Sequence, residues 1–269
     1  MSDNRPLNAN KSECDYNSYT AYINTIYCLA YKYDFFYFQP FTSERAEHDL
    51  YVCTDPHTGE KRHVAWAKLL AMIMLCDRNY DYVVYIDSDC VFLNIHKSLE
   101  SIIESYPPDK EFIIANNSPY HPHLPCSAFI ICKNSEFSRV FLRHWYTFKN
   151  PASDSDIWRQ VIEFANRSYK TPLFTIGTYW EQDTLWILLQ NPEIASHIQL
   201  LSETIMVKDT PGQFLLHVSH ERHEKRKPYF LGYVEHLESQ ISHNFEKIIS
   251  MIPIIQFDIS SIDMNTNTV

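Results

Sequence analysis

The sequence predicts an α/β fold with a mostly parallel central sheet flanked by helices. Segments with helical periodicity alternate with short apolar segments, which is typical of successive strand and helix units. Residues 82–86 read Tyr-Val-Val-Tyr-Ile, as expected for a central strand covered on both faces. The 269 residues, 45% of them hydrophobic, are enough to bury one sizeable core. We therefore expect one domain over 16–255, between a flexible N-terminal segment at 1–15 and a C-terminal tail at 256–269.

The individual elements follow from periodicity and composition. Helices are expected at residues 16–32, 63–76, 97–105, 135–148, 181–190 and 229–249. Strands are expected at residues 34–39, 82–86, 111–115, 128–132 and 214–218. The second of these helices is apolar nearly all round from Leu69 onward, which predicts deep burial.

Composition excludes several kinds of site. The chain has only four glycines, and they are too far apart for a dinucleotide fingerprint, a phosphate-binding loop or a nucleophile elbow. A bound nucleotide would therefore need another partner for its phosphates, and a metal ion is the obvious candidate. The seven cysteines form no Cys-x-x-Cys pair, which argues against a zinc finger and a disulfide framework.

Charge and hydropathy limit the partners and the location. A formal net charge of -10 argues against nucleic acid or an anionic membrane as the main partner. The N-terminal residues are polar, and no apolar run approaches the ~18 residues of a membrane span. We therefore expect a soluble, cytoplasmic protein without a transmembrane segment, and a homo-oligomer is left open.

The sharpest motif is the triplet Asp87-Ser88-Asp89, which directly follows the apolar strand. Ligands of open α/β sheets bind beyond the carboxyl ends of strands. Two carboxylates two residues apart can approach one hard divalent cation, which would neutralise a diphosphate. The alternative interpretation is a strand end with two solvated aspartates, which is common. The position after a continuous apolar strand favours the metal site.

Several segments, in the right order, resemble glycosyltransferase family 34, which includes fungal α-galactosyl- and mannosyltransferases and plant xyloglucan xylosyltransferases. The resemblance covers roughly residues 17–235. The similar segments are NTIYCLAYKYDFFYF (24–38), RHVAWAK (62–68), YVVYIDSDCVF (82–92), SAFIICKNSEFSRVFLRHW (127–145), EQD (181–183) and LHV (216–218). The DSD triplet, the Glu181-Gln182 pair and His217 are its most specific parts. An apolar first strand, which the family has ahead of residue 16, is not visible here.

The resemblance implies a GT-A fold and a Mn²⁺-dependent (or Mg²⁺-dependent) hexosyl- or pentosyltransferase that retains anomeric configuration. Its substrates would be a nucleotide-sugar donor, with UDP favoured, and a glycan or glycosylated acceptor. Asp87 and Asp89 would bind the metal and the donor, with Ser88 between them. His217 would be the third metal ligand.

The remaining roles are also carried over from the resemblance. Gln182 would lie beneath the transferring sugar, in a catalytic segment with Glu181 and Asp183. Lys68 would help to position the donor sugar. Arg222 falls where the family has a lysine that touches the diphosphate.

Other interpretations remain open. The spacing of His217, His220 and His223 could indicate a metal box, but a solvated basic loop has the same pattern, and we favour His217 alone as the ligand. Residues 219–227 are expected to be a mobile loop that closes over the diphosphate or, alternatively, an ordinary surface loop. Most tryptophans are expected in the core, with Trp180 the best candidate for a sugar-stacking platform. A non-catalytic binding module and a nucleotide-sugar phosphohydrolase are the alternative functions.

Overall fold

The computed structural model describes residues 1–41, 51–117, 121–148, 180–208, 211–219, 223–241 and 243–259. The helices of these ranges are α1 (Tyr16–Tyr31), α2 (Ala67–Cys76), α3 (Leu99–Ile103), α4 (Glu136–Thr147), α5 (Glu181–Leu188), α6 (Pro192–Ser196), α7 (His223–Gln240) and α8 (Phe245–Met251). The strands are β1 (Tyr37–Phe41), β2 (Cys53–Thr54), β3 (Lys61–Arg62), β4 (Tyr82–Ile86), β5 (Cys90–Phe92), β6 (Phe112–Asn117), β7 (His121–Lys133), β8 (Ile198–Leu200), β9 (Met206–Lys208), β10 (Leu215–His217) and β11 (Ile254–Asp258).

The central sheet is mostly parallel, as predicted. Its main part has the order β4-β7-β6-β8, in which β7 runs antiparallel to both neighbours and β6 runs parallel to β8. Ser2 extends the sheet, because it forms parallel bridges with Phe38 of β1 and with Asp87 at the end of β4. Beyond it, β1 pairs in parallel with β11. Among these strands β7 alone runs in the opposite direction.

Two hydrophobic cores cover the two faces of this sheet. On β4, Ile86 lies in one core while Val83 and Tyr85 lie in the other, which is the alternation that a strand imposes on its side chains. The first core contains α1 with its neighbours α7 and α8, and the second contains α2, α4 and α5. The burial of strand 82–86 from both sides is the reason for its continuous apolar sequence.

A second, smaller sheet lies beside the end of β4. Its order is β5-β10-β9, with β10 antiparallel to β5 and parallel to β9. The register pairs His217 with Cys90, the residue after the DSD triplet. The short connection from β4 to β5 therefore brings the triplet between the two sheets.

The N-terminal residues differ from the flexible segment that their polar composition predicts. Met1 and Asp3 are buried, and the Phe38 amide donates to the Met1 carbonyl at 2.9 Å. Arg5 forms ion pairs with Asp3 and Asp15. Backbone pairing and ion pairs hold this segment, and neither leaves an apolar pattern in the sequence.

The C-terminal elements also differ from expectation. The single helix predicted at 229–249 is two helices, because Asn244 accepts a hydrogen bond from the Lys247 amide at 3.0 Å and caps a new helix. Residues 254–258 form β11, although a tail is expected from residue 256. Residues 223–227 form the start of α7 and are not part of a loop. Within the described ranges, no helix has the length and apolar character that crossing a membrane requires.

Candidate functional site

The DSD triplet forms a fixed turn between β4 and β5. The Asp87 amide donates to the Ala128 carbonyl of β7 at 2.8 Å. The Thr20 hydroxyl of α1 donates to the Ser88 carbonyl at 2.7 Å. The turn is therefore held from two sides, and its two carboxylates have defined positions.

The predicted metal ligands lie together. Asp87, Asp89 and His217 each offer a ligand atom, and these atoms all lie within 4.8 Å of one another. The Val218 amide donates to the Asp89 carbonyl at 3.0 Å, which fixes β10 against the triplet. Two carboxylates and one imidazole form a donor set that suits a divalent ion such as Mn²⁺. The residues therefore fit the metal that the motif implies.

Arg226 of α7 also reaches the triplet. Its guanidinium lies 3.0 Å from Asp89 Oδ2 and donates to the Tyr16 hydroxyl at 2.9 Å and the Ser219 carbonyl at 2.8 Å. The sequence-based candidate in this basic segment is Arg222, which lies outside the described residues. Arg226 could not be chosen from the sequence, because its position in the helix depends on where α7 begins. The pattern of charges does not indicate that residue.

A second cluster lies on the other side of Asp87. The buried ammonium of Lys68 is 3.0 Å from Asp87 Oδ1 and 2.8 Å from Glu181 Oε1. The Ser127 hydroxyl donates to the same Glu181 oxygen at 2.8 Å, and the Ser127 amide donates to Gln182 Oε1 at 3.0 Å. The structure thus brings three predicted site residues together around one serine. Ser127 is not among the predicted site residues, although it begins the segment 127–145 that carries the resemblance.

Asp183 has a different position from its two neighbours. Its carboxylate accepts a hydrogen bond from the Trp180 amide at 3.0 Å and thereby caps the start of α5. Burial, with a contribution from Glu181, raises the pKa of Asp183 to about 7. In these contacts its carboxylate holds the helix start, while Glu181 and Gln182 face the cluster.

Asp89 and His217 stabilise each other's charge, whereas burial, with a contribution from Asp89, raises the pKa of Asp87. Burial opposes the ionised form of Asp89, but His217 and Arg226 outweigh it and lower the pKa of Asp89 to about 2. Burial likewise opposes the charge on His217, but Asp89 outweighs it and raises the pKa of His217 to about 10. The Asp89 carboxylate is therefore paired with positive charge from His217 and Arg226.

The cluster around Lys68 has the same character. Burial alone would lower the pKa of Lys68, but Asp87 and Glu181 raise it well above the ordinary value. Burial raises the pKa of Glu181, and Lys68 and Ser127 outweigh this effect, so the net shift is downward. Lys68 is therefore a buried cation and Glu181 a buried anion.

An open cavity of about 480 Å³ lies at the DSD triplet and is lined by Asp87, Ser88 and Asp89. One wall carries Asp87, Asp89 and Arg226, and another carries His63 and Trp180. The N-terminal residues 2–5 complete the lining. A larger cavity, of about 1010 Å³, lies at the opposite end of β4 and contains none of the candidate site residues.

No family model and no curated protein matches the sequence. One solved structure, of a glycosyltransferase involved in the glycosylation of the major capsid of PBCV-1, matches with a TM-score of 0.53 and 14% identity, over 80% of this chain and 91% of that chain. Another, of mouse xyloside xylosyltransferase 1 in the apo form, matches with a TM-score of 0.45 and 9% identity, over 76% and 93% of the two chains. The chain has the GT-A-type α/β fold that its sequence predicts.

Proposed function

We propose that the protein is a metal-dependent glycosyltransferase. It would move a hexosyl or pentosyl group from a nucleotide-diphosphate sugar, with UDP favoured, to a glycan or glycosylated acceptor with retention of configuration. The observation that carries this proposal is the triad of Asp87, Asp89 and His217, which lies beside the buried Lys68 and presents its two aspartates to an open cavity. The fold shared with a solved glycosyltransferase supports it.

The main chemical demand of such a transfer is to stabilise the negative charge that develops on the departing diphosphate. A divalent metal held by Asp87, Asp89 and His217 would supply positive charge for that leaving group. Arg226 would supply a second cation at the same wall, because its guanidinium is held within reach of Asp89 by Tyr16 and the Ser219 carbonyl. A guanidinium suits phosphate because it offers several donors in one plane.

The cluster around Ser127 would orient the transferring sugar. Lys68 holds the carboxylates of Asp87 and Glu181, so it links the metal side of the cavity to the sugar side. Glu181 is ionised beside Lys68 and can accept hydrogen bonds from sugar hydroxyls. The Gln182 oxygen is held by the Ser127 amide, which leaves its NH₂ group to donate. The proton of the acceptor hydroxyl would pass to the departing diphosphate.

A donor screen tests this proposal. The purified protein would be incubated with Mn²⁺ and each of a set of UDP- and GDP-sugars, and release of the nucleoside diphosphate would be followed by NMR. We expect one or a few donors to be consumed slowly without an acceptor and faster with one, and EDTA to stop both. The anomeric coupling constant of the product reports retention or inversion.

Two results would contradict the proposal. Turnover in EDTA equal to that in Mn²⁺ would show that the reaction does not need a metal ion. Release of the nucleoside monophosphate, in place of the diphosphate, would indicate a phosphohydrolase that cleaves within the diphosphate.

A further inference from the structure

Trp180 differs from the other tryptophans that the structure describes. Its side chain is 38% exposed and lines the cavity, whereas Trp66, Trp145 and Trp186 are buried in the core. It directly precedes Glu181, and its amide is held by the Asp183 carboxylate. An indole that lines a cavity and is partly open to solvent offers an apolar surface to a ligand in that cavity.

His63 lies against this indole and also lines the cavity. The centroids of the His63 and Trp180 rings are 4.2 Å apart, and the Tyr51 ring lies perpendicular to His63 with the centroids at 5.8 Å. Trp180 and His63 therefore form one aromatic surface of the cavity, the aromatic wall.

The tautomer of His63 follows from its backbone contact. His63 Nδ1 accepts a hydrogen bond from the Ala65 amide at 3.1 Å, so in the neutral ring the proton is on Nε2. Burial and the nearby Lys68 lower the pKa of His63 and favour this neutral form. The aromatic wall thus combines an apolar indole face with one hydrogen-bond donor.

This combination matches the chemistry of a pyranose ring. One face of the ring presents C–H groups, which pack on an aromatic face, and its edge presents hydroxyls, which need polar partners. An amphipathic aromatic side chain of this kind is common where one side of a contact is apolar and the other is wet.

The aromatic wall offers a place for the second sugar of the reaction. The wall with Asp89 and Arg226 is the place for the diphosphate, and the Lys68 and Gln182 cluster is the place for the donor sugar. The aromatic wall adjoins that cluster, because Trp180 directly precedes Glu181, and Trp180 lines the cavity while its side chain stays partly open to solvent. An acceptor has to enter and leave from the solvent side.

We propose that Trp180 and His63 form the acceptor subsite, which binds one pyranose ring of a saccharide acceptor by stacking on the indole. This inference rests on the proposed glycosyltransferase function. It assigns the acceptor a saccharide end group and gives Trp180 a role in specificity.

The test compares Trp180→Ala, Trp180→Phe and wild type with simple methyl glycosides of glucose, galactose, mannose and xylose as acceptors. Methyl glycosides are chosen because they carry no aromatic group that could itself stack on the indole. For Trp180→Ala we expect the acceptor KM to rise about tenfold, with most of this loss restored by Trp180→Phe, because a lost ground-state contact raises KM. The affinity for UDP with Mn²⁺, measured by calorimetry, should not change.

Tyr82→Ala is the matched control. Tyr82 is 39% exposed, close to the value for Trp180, but it lies at the other end of β4 in the larger cavity. Its replacement removes an exposed aromatic ring of similar accessibility and should leave the acceptor KM unchanged. A similar change in both variants would mean that the effect is not specific to the aromatic wall.

Two further outcomes would overturn the inference. An unchanged acceptor KM in Trp180→Ala would show that the indole does not bind the acceptor. A parallel loss of UDP-sugar affinity and acceptor affinity would assign the wall to the donor sugar.

Failure of the proposed function is distinguishable from failure of the subsite. If wild type consumes no nucleotide sugar, saturation-transfer NMR with the same methyl glycosides still reports whether they bind. Methyl glycosides that bind to wild type but not to Trp180→Ala would support the subsite. Methyl glycosides that do not bind to wild type would overturn it.

Discussion

Ser127 contacts three candidate site side chains with two of its groups. Its hydroxyl lies 2.8 Å from Glu181 and 3.2 Å from Lys68, and its amide donates to Gln182. It holds these positions because β7 runs antiparallel to β4, so that the residues just before its apolar segment reach the edge where β4 ends. The resemblance gave Glu181, Gln182 and Lys68, but not the serine between them, because its position depends on a strand direction that periodicity does not reveal.

The first prediction concerns Gln182. Gln182→Ala should lower kcat by about 10²-fold or more while the affinity for UDP with Mn²⁺ stays the same, because the amide is proposed to contact the transferring sugar. Steady-state kinetics and calorimetry on the same preparation measure the two quantities. Equal losses of turnover and UDP affinity would place Gln182 in the nucleotide site instead.

The second prediction concerns Arg226. Its replacement by alanine should weaken UDP binding in the presence of Mn²⁺ by about 1.5–3 kcal/mol, the range for a hydrogen bond to a charged group. Lys225→Ala is the control, because Lys225 is the neighbouring cation in the same helix and is exposed. Calorimetric titration with UDP measures both. If the two variants lose the same affinity, the effect is one of general charge and not of the contact near Asp89.

Among the helices and strands, apolar patterns in the sequence predicted the observed bounds better than polar patterns did. The strand at 82–86 has the predicted bounds, and the helix predicted at 63–76 ends at Cys76 as expected but begins at Ala67, after a 3-10 turn at Val64–Trp66. Burial leaves a clear apolar sequence in both elements. The pairing of Ser2 between β1 and β4 left no such pattern, since backbone hydrogen bonds do not depend on side chains. The break between α7 and α8 depends on the cap at Asn244, a local signal inside an otherwise helical sequence.

The third prediction belongs to the start of α5. Burial raises the pKa of Asp183 to about 7 in the folded protein, above its ordinary value of 3.8. Between these pH values the folded state holds a proton that the unfolded chain has released, so this residue lowers stability as the pH rises. Asp183→Asn keeps an acceptor for the Trp180 amide but does not titrate.

The measurement is the free energy of unfolding in urea from pH 4 to pH 7. The decline of stability with pH should be smaller in Asp183→Asn than in wild type, by up to about 4 kcal/mol over this interval. Curves that run parallel would show that Asp183 is ionised in the folded protein throughout.

At the scale of the whole molecule, the site joins parts that are far apart in the sequence. Asp87 and Asp89 follow the central sheet, His217 belongs to the smaller sheet, and Arg226 belongs to α7. The resemblance predicted the metal triad because its motifs are short and placed at strand ends. It did not predict Arg226, because the orientation of α7 follows from its packing on α1.

The fourth prediction concerns ligand binding by the folded protein. Mn²⁺ and UDP together should raise the melting temperature, because a ligand at 100 times its Kd stabilises by about 2.7 kcal/mol. Asp89→Asn should abolish this shift, because it removes a carboxylate from the proposed metal triad. Differential scanning calorimetry measures the shift, and a far-UV spectrum equal to that of wild type confirms the fold of the variant. A shift of equal size in wild type and Asp89→Asn would place the nucleotide elsewhere.

The pairing of β1 with β11 has a consequence for how the chain folds. Gln39 and Gln256 are hydrogen-bonded across 217 residues of sequence, so this edge of the sheet closes a very large loop. Closing such a loop costs entropy before any contact forms, and topologies rich in distant contacts fold slowly. The candidate site also depends on contacts between distant parts of the chain, because both Lys68 and Arg226 contact the DSD triplet. During synthesis, a complete site can therefore form only after the ribosome has released the chain as far as α7.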